Sequence, residues 1–465
     1  MKYEMTPAQF IAVSNNGNIN YDDFYQKFFE KLKEADKKYN LLITINDKKP
    51  KINPGKLTAL PLSVKDCICT QNIKTTAGSK ILENYIPPFD ATAIKKLKEQ
   101  GGVIVGKTAQ DEFGHGTFST NCAYKIPKNP LDPTRSCGGS SGGAGGLIAA
   151  LDMPHIAIAE STGGSISAPA AFTGTVGITP TYGRVSRYGL IDYANSLDKI
   201  GAMGKTVEDA AIALNIMAGH DPMDETSINE KVPNFLAATK KDIKGMKLGV
   251  PKEYFSDKID DKIKNIIWDK IKQLESLGAT YEKCSLPTTK YTIPSYYIIA
   301  MCETSTNLAK FCGMRYGASE DLKGRDFNEY FSDMRGKYLG EEAKRRIILG
   351  TYARMAGYRD QYYLKAMKVR TLIINDYKKA FKKYDCLVSP TMPFVAPKFK
   401  DIEKLTPVEN YFADILTAGP NLAGIPMISV PAGTHQSMPV GMHILADHMH
   451  EEKILKLADA THKTY

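Results

Sequence analysis

Residues 137–146 read CGGSSGGAGG and residues 162–166 read TGGSI, so two serine-containing steps are set in glycine. Glycine loses more backbone entropy on folding than other residues, so such clusters indicate backbone that passes close to another group or adopts unusual conformations. Apolar residues fill the interval at 147–151 and 156–158, which argues against a merely flexible loop. Small residues beside a hydroxyl also leave room for a substrate carbonyl, so both steps are candidates for an active site.

The composition is ordinary for a globular protein, with 465 residues, 43% of them hydrophobic and 24% charged. No run of 18 uncharged apolar residues occurs, and the amino terminus lacks the apolar stretch of a signal peptide. We therefore expect a cytoplasmic protein with no membrane contact. The net charge of +10 permits an anionic partner such as RNA but does not require one.

The eight cysteines and eight histidines show no metal-binding pattern. Only Cys67 and Cys69 are closely spaced, and they lack a second pair. We expect free thiols in a reducing compartment and no metal site.

Strand patterns alternate with helical patterns, which predicts an α/β fold built as a single large layered domain. The polar segments 219–245 and 397–408 read as insertions rather than domain boundaries. Strands are predicted at 57–64, 103–105, 154–159, 247–250, 386–389 and 427–431, and helices at 21–38, 91–100, 206–218, 259–277 and 340–380.

Residues 101–108, GGVIVGKT, match the phosphate-loop pattern GxxxxGK[ST]. The context is wrong, because a helix precedes the match and an apolar strand occupies the would-be loop. Asp111 and Glu112 would also repel a phosphate. We therefore expect no nucleotide site here.

Residues 138–142 match GxSxG, the nucleophile elbow of α/β-hydrolases. That fold needs a strand directly before the serine, whereas residues 128–135 read as a loop. A later histidine is available in His435 or His443, so a histidine-dependent hydrolase remains an alternative.

A serine without a histidine needs another base, and a neutral lysine can serve. A lysine has an unperturbed pKa of about 10.4, which burial lowers by several units. Lys65 is the candidate, since it ends the apolar strand LPLSV at 60–64, where it would lose solvent. A lone lysine there would more simply be one that reaches out to solvent from a strand end.

Three motifs occur in order, SVKD at 63–66, GGSSGG at 138–143 and TGGSI at 162–166, and they resemble the amidase signature family. Within it, PTYGRVSRYGL at 180–190 and RRIILGT at 345–351 are similar to the glutamine-hydrolysing subunits of aminoacyl-tRNA amidotransferases. The resemblance implies one amidase domain over 1–465, with a helical segment 1–56 packed on a core at 57–460. It also implies a central mixed β-sheet covered by helices on both faces.

The resemblance implies a Ser-Ser-Lys triad. Ser165 would be the nucleophile, and Ser140 would pass its proton to Lys65, with Ser141 as a fallback for the bridging role. The family has a cis peptide at this bridging serine. The oxyanion would be held by the backbone N–H groups of Thr162, Gly163, Gly164 and Ser165.

Recognition of glutamine calls for one acid and one base, which bind its α-amino and α-carboxylate groups. The resemblance assigns these roles to Asp414 and Arg346. It places Tyr297 and Thr117 in the lining of the same pocket. From spacing alone, Arg346 would be a solvated charge on a helix beside Lys344 and Arg345.

The same resemblance implies a division of labour among subunits. A separate B subunit would bind mischarged tRNA and use ATP and magnesium, a small C subunit would brace this chain, and this chain would need no cofactor. The product would be Gln-tRNA(Gln) from Glu-tRNA(Gln), Asn-tRNA(Asn) from Asp-tRNA(Asn), or both. The alternatives are a stand-alone amidase for small or fatty amides and a non-catalytic scaffold subunit.

The chain departs from the family pattern around the second serine step. Ser161 and Ser167 stand where the family usually has an aspartate and an arginine, and the spacing from Ser140 to Ser165 is one residue longer than usual. Losing one member of a buried ion pair costs about 3–5 kcal/mol, whereas losing both can be neutral. We therefore expect that both charges were replaced together. Two neighbouring positions also differ, with Cys67 in place of asparagine and Ala144 in place of serine.

Overall fold

A computed structural model describes residues 3–465, and its central feature is a mixed sheet that comprises 11 strands within that range. The strand order across the sheet is β1-β3-β2-β6-β8-β7-β12-β13-β11-β9-β10, and β4 and β5 form a separate hairpin. The strands are β1 (Leu42–Ile45), β2 (Pro61–Lys65), β3 (Val103–Thr108), β4 (Lys128–Asn129), β5 (Asp132–Ser136), β6 (Ile156–Ser161), β7 (Val176–Thr179), β8 (Lys199–Gly204), β9 (Lys247–Pro251), β10 (Thr280–Cys284), β11 (Cys386–Pro390), β12 (Met427–His435) and β13 (Met438–Leu445).

The helices cover this sheet on both faces. Every residue of β2, β6, β7 and β8 is buried, which requires cover on both sides because successive side chains point to opposite faces. The fold is therefore the expected single α/β layered domain with a mixed sheet. The α-helices are α1 (Pro7–Asn15), α2 (Tyr21–Tyr39), α3 (Thr92–Glu99), α4 (Gly142–Ala150), α5 (Ser167–Thr173), α6 (Val207–Met217), α7 (Phe235–Ala238), α8 (Asp261–Ser276), α9 (Thr292–Asn307), α10 (Phe327–Tyr338), α11 (Glu341–Arg354), α12 (Lys365–Phe381), α13 (Phe399–Ile402), α14 (Pro407–Phe412), α15 (Ala418–Ala423) and α16 (Glu451–Lys463).

The strands that matter for the site run in parallel. β2 pairs in parallel with both β3 and β6, with Val64 opposite Ile158. β6 then pairs antiparallel with β8, with Ser161 opposite Lys199. The carboxyl ends of β2 and β6 therefore meet at one edge of the sheet, where Lys65 ends the first strand.

The amino-terminal segment is tied to the sheet by helix α2 and strand β1. Asn20 caps α2 by accepting a hydrogen bond from the Asp23 N–H at 3.0 Å, and Phe24 and Phe28 are fully buried on its inner face. β1 pairs antiparallel with β3, so the segment 1–56 contributes a sheet strand as well as the expected helices.

Three sequence predictions need correction. The strand predicted at 57–64 begins only at Pro61, because Ala59 adopts a positive φ of 60° and the preceding residues form a turn. The helix predicted at 340–380 is broken after α11, where Gly357 has φ 86°. The stretch 128–135, expected to be a loop, contains the hairpin β4–β5.

The remaining predicted elements are present, with ends shifted by a few residues. Within residues 3–465, no helix combines the length and the apolar character needed to cross a bilayer. In the same range, no cluster of three or more His, Cys, Asp or Glu side chains is placed to hold a metal ion.

Candidate active site

The Lys65 side chain lies at the carboxyl end of β2 and is completely buried. Its Nζ lies 2.8 Å from Ser140 Oγ, 2.8 Å from Glu160 Oε2 and 3.0 Å from the Glu160 carbonyl oxygen. Desolvation of Lys65 was expected from the apolar strand. The buried carboxylate beside it was not.

The turn at 138–141 presents Ser140 to this lysine. The Gly139–Ser140 peptide bond is cis, as the resemblance led us to expect. The Ser119 hydroxyl donates to the Gly138 carbonyl at 2.8 Å, and the Asp111 N–H donates to the Ser140 carbonyl at 3.2 Å. Ser140, and not Ser141, is hydrogen-bonded to Lys65.

Ser141 has a different partner. Its Oγ donates to the Glu160 carbonyl at 3.1 Å, and its N–H donates to the Ser165 carbonyl at 3.2 Å. The second contact places the backbone of Ser165 directly against the turn that carries Ser140. Among the residues that the structure describes, Ser165 Oγ itself has no hydrogen-bond partner.

The step TGGSI requires its glycines because the backbone is closely covered. A Cβ at Gly163 would lie 2.2 Å from Tyr296 Oη, and one at Gly164 would lie 2.3 Å from Thr417 Oγ1. Gly164 also has φ 152°, which side chains rarely allow. The N–H groups of Thr162, Gly163, Gly164 and Ser165 find no acceptor in the described part of the chain, so these donors are available to an oxyanion.

Thr162 carries a side chain that faces two buried carboxyl groups. Its Oγ1 lies 2.7 Å from Glu160 Oε1 and 2.8 Å from Asp198 Oδ1. Neither carboxyl group was predicted from the sequence. Glu160 carried a readable signal, because it is a charged residue at the end of the otherwise apolar stretch IAIA at 156–159.

The predicted substrate-binding residues form a second cluster. Tyr297 Oη donates to Asp414 Oδ2 at 2.5 Å, and Thr117 Oγ1 donates to the same oxygen at 3.2 Å. Burial raises the pKa of Asp414 to about 6, while the Tyr297 hydrogen bond and the charge of Arg346 oppose that rise. Asp414 Oδ1 accepts no hydrogen bond within residues 3–465, so one carboxylate oxygen remains for a ligand.

Arg346 is buried on α11, not solvated as its neighbours suggested. Its Nε donates to Glu342 Oε1 at 2.8 Å and its Nη1 donates to Tyr193 Oη, while Nη2 finds no acceptor in the described chain. The guanidinium lies 5.3 Å from the Tyr297 ring centroid and 5.4 Å from that of Tyr411. Glu342 orients the arginine, and sequence analysis missed it.

A cavity of about 650 Å³ opens beside this cluster, with Thr117, Arg346 and Tyr411 in its lining. None of the other predicted site residues, all of which are described, lies in its lining: Lys65, Ser140, Thr162, Gly163, Gly164, Ser165, Tyr297 and Asp414. The Thr117–Asp414 hydrogen bond connects the cavity wall to the buried carboxylate.

Comparison with known proteins assigns the family. The family described as Amidase matches residues 15–455. The chain belongs to the Amidase family. The predicted resemblance to amidase signature proteins is therefore confirmed.

Three proteins similar to this amidase share one name. It is 52% identical over 409 residues to the A subunit of glutamyl-tRNA(Gln) amidotransferase from Carboxydothermus hydrogenoformans, covering 88% of this chain and 84% of that one. It is 43% identical over 462 residues to the same-named protein of Halothermothrix orenii, covering 98% and 96%. The crystal structure of the Thermotoga maritima protein of that name matches with a TM-score of 0.84 and 36% identity, covering 98% of this amidase and 94% of that chain.

Neither competing motif forms a site in this amidase. Lys107 of the phosphate-loop match lies in strand β3, and its buried Nζ donates to the Ile68 carbonyl and to Thr75 Oγ1 at 2.9 Å. For the nucleophile elbow, no histidine in the described residues hydrogen-bonds Ser140 or Ser141. His443, one of the two candidates, contacts Ser167 instead, at 3.3 Å.

The two hydroxyls at 161 and 167 lie in a buried basic environment. Ser161 Oγ is buried without a partner in the described chain, and Lys199 stands opposite it in β8. Burial lowers the pKa of Lys199 to about 7, and its charge helps to lower that of His443 to about 3. Lys199 can pair with an aspartate at position 161. Ser161→Asp alone therefore does not test whether the aspartate and the arginine of the family pattern were lost together.

We expect Ser167→Arg to test the paired loss. It adds a second buried cation near Lys199 and should lower the free energy of unfolding by about 3–5 kcal/mol. Adding Ser161→Asp should restore most of that loss, because it supplies the missing anion. Denaturant unfolding of both variants, with Ser167→Ala as control, measures the coupling. A double variant as unstable as Ser167→Arg would contradict the paired loss.

We expect Ser140→Ala to lower the amide-hydrolysis rate by about 10²–10⁴-fold, because in the triad that the resemblance implies Ser140 carries the proton to Lys65. The neighbouring Ser141→Ala is the matched control and should cost less than about tenfold, since it removes one hydrogen bond to a carbonyl. Steady-state rates at saturating substrate, with circular dichroism to confirm folding, compare the two. Equal losses would remove Ser140 from its bridging role.

Proposed function

We propose that this amidase is the glutamine-hydrolysing subunit of a glutamyl-tRNA(Gln) amidotransferase. The observation that carries the proposal is the buried contact of Lys65 Nζ with Ser140 Oγ at 2.8 Å, beside the glycine-rich step that holds Ser165. The names of the relatives at 43–52% identity support the same function.

The proposed chemistry uses one proton path in both directions. Ser165 Oγ attacks the side-chain carboxamide of glutamine while its proton moves to Ser140 Oγ and the Ser140 proton moves to Lys65 Nζ. The backbone N–H groups of Thr162, Gly163, Gly164 and Ser165 stabilise the oxyanion. The proton then returns to the leaving nitrogen, so that ammonia departs, and water hydrolyses the glutamyl ester.

Recognition of glutamine falls to the second cluster. The free Oδ1 of Asp414 suits the α-ammonium group, and the free Nη2 of Arg346 suits the α-carboxylate. Tyr297 and Thr117 fix the Asp414 carboxylate, while Glu342 fixes the guanidinium. The site thus selects an amino acid by its two charged groups and leaves its side-chain amide for the chemistry.

Partner subunits complete the reaction in this proposal. Separate B and C subunits form the complex, and the B subunit binds mischarged tRNA and activates it with ATP and magnesium. Glu-tRNA(Gln), Asp-tRNA(Asn) or both would receive the ammonia. The chain itself would act in the cytoplasm without a cofactor, which agrees with a Lys107 that is occupied in the sheet.

The decisive experiment assembles the chain with its two partner subunits and supplies glutamine, ATP and mischarged tRNA. We expect tRNA-stimulated ammonia release and labelling of Ser165 by an electrophilic glutamine analogue, both lost in Ser165→Ala and kept in Ser141→Ala. Turnover of simple amides that needs no partner would instead favour a stand-alone amidase. Absence of Ser165 labelling in the wild-type complex would favour a non-catalytic scaffold.

We expect the KM for glutamine to rise as the pH falls through about 6. Burial raises the pKa of Asp414 to about 6, so below that pH the carboxyl is protonated and no longer attracts the substrate ammonium. In Asp414→Asn the KM should be high at all pH values and lose this dependence. KM profiles of the two proteins provide the measurement, and a persistent dependence in the variant would assign the titration to another group.

A further inference from the structure

A row of buried polar groups begins at Lys65 and continues through Glu160 and Thr162 to Asp198. Glu160 accepts from Lys65 Nζ at 2.8 Å through Oε2, and its Oε1 lies 2.7 Å from Thr162 Oγ1. Thr162 Oγ1 in turn lies 2.8 Å from Asp198 Oδ1. Every member of this chain is at least nine-tenths buried, so none exchanges protons freely with solvent.

The distances determine how many protons these buried polar groups hold. The Thr162 hydroxyl carries one hydrogen, yet it lies within hydrogen-bond distance of two carboxyl oxygens. One carboxyl group must therefore be protonated for both contacts to be hydrogen bonds. Burial raises the pKa of Asp198 well above its usual range, so Asp198 holds that proton and Thr162 donates to Glu160.

We propose that Glu160 is a positioning residue that accepts a proton from Lys65 and so leaves the amine neutral for the triad. One N–H bond of the Lys65 ammonium breaks and one O–H bond forms on Glu160 Oε2, so the net charge of the pair stays zero. Rotation about the Lys65 Cε–Nζ bond then turns the lone pair of the amine from Glu160 toward Ser140 Oγ, which lies 2.8 Å away. A neutral pair avoids the cost of burying two charges. The inference rests on the proposed function, because it concerns the base of that reaction.

Other titratable groups face Glu160 from the surrounding elements. Cys67 follows β2, and burial raises the pKa of its thiol. Lys199 begins β8 with a pKa lowered to about 7 by burial. Asp111, beyond β3, interacts electrostatically with Lys65, and burial raises its pKa to about 7. These groups titrate both in the wild type and in variants at position 160. A difference between the kcat–pH profiles of the two proteins is therefore caused by the change at Glu160.

The test is the Glu160→Gln variant in the assembled complex. The measurement is kcat at saturating glutamine as a function of pH. An amide keeps the shape of the side chain but cannot accept the proton, so Lys65 must lose its proton to solvent. We expect the acid limb of kcat to move to higher pH by about one unit or more, with about tenfold lower kcat at neutral pH and recovery at alkaline pH. If Glu160 made only a structural contact, raising the pH would not restore kcat in the variant.

Matched variants distinguish the effect of losing Glu160 from the effect of losing any buried carboxylate. In Asp198→Asn the amide N–H replaces the acid O–H that donates to Thr162, so the acid limb should stay in place. Asp209→Asn removes a buried carboxylate that caps α6, outside the site, and should leave both rate and limb unchanged. Thr162→Val removes a donor to Glu160, which makes that carboxylate a better proton acceptor, and should move the limb in the opposite direction, to lower pH, by a smaller amount.

An acid limb that stays in place or moves to lower pH in Glu160→Gln overturns the inference. If that variant does not fold, an unmoved limb in Thr162→Val overturns it. A wild-type complex that releases no ammonia from glutamine would contradict the proposed function itself, whatever the variants do.

Discussion

A buried amine needs polar partners, and that constraint organises the centre of this fold. Lys65 has no solvent within reach, so its hydrogens must be satisfied by groups on other elements. They come from the turn before α4, through Ser140, and from the end of β6, through the carboxylate and carbonyl of Glu160. The parallel pairing of β2 and β6 is what brings these elements together, because it places both carboxyl ends at one edge of the sheet.

Glycine then allows the surrounding backbone to close over this edge. A Cβ at Gly139 would lie 2.4 Å from Asp111 Oδ2, and one at Gly143 would lie 2.4 Å from the Leu41 carbonyl. Helix α4 is therefore in backbone contact with the residue that precedes β1, so the amino-terminal segment supports the site through the same glycine run. The close approach explains why this run is so dense in glycine, which a flexible loop would not require.

The sequence was sufficient to predict the strands and motifs that follow a local pattern. It was insufficient to predict contacts that depend on the register between strands. Lys65 and Ser140 were found because their motifs are short and ordered along the chain. The contact of Lys65 with Glu160 depends on how β2 aligns with β6, which no local periodicity encodes. Strand β8, KIGAMG, also escaped prediction, because its glycines interrupt the apolar pattern that marks a buried strand. The break after α11 depends on the positive φ of Gly357, which a helical charge pattern hides.

Two buried carboxylates serve this amidase differently because their cationic neighbours differ. Asp414 lies near Arg346, whose guanidinium stays charged and is fixed by Glu342, so in the proposed site the pair offers two opposite charges to a substrate above about pH 6. Glu160 lies against Lys65, whose ammonium can give up a proton, so charge in that pair can vanish by a single transfer over 2.8 Å. An arginine in place of Lys65 would keep the ion pair permanent and block the proton path. In the proposed mechanism, the lysine at one carboxylate therefore serves chemistry and the arginine at the other serves binding.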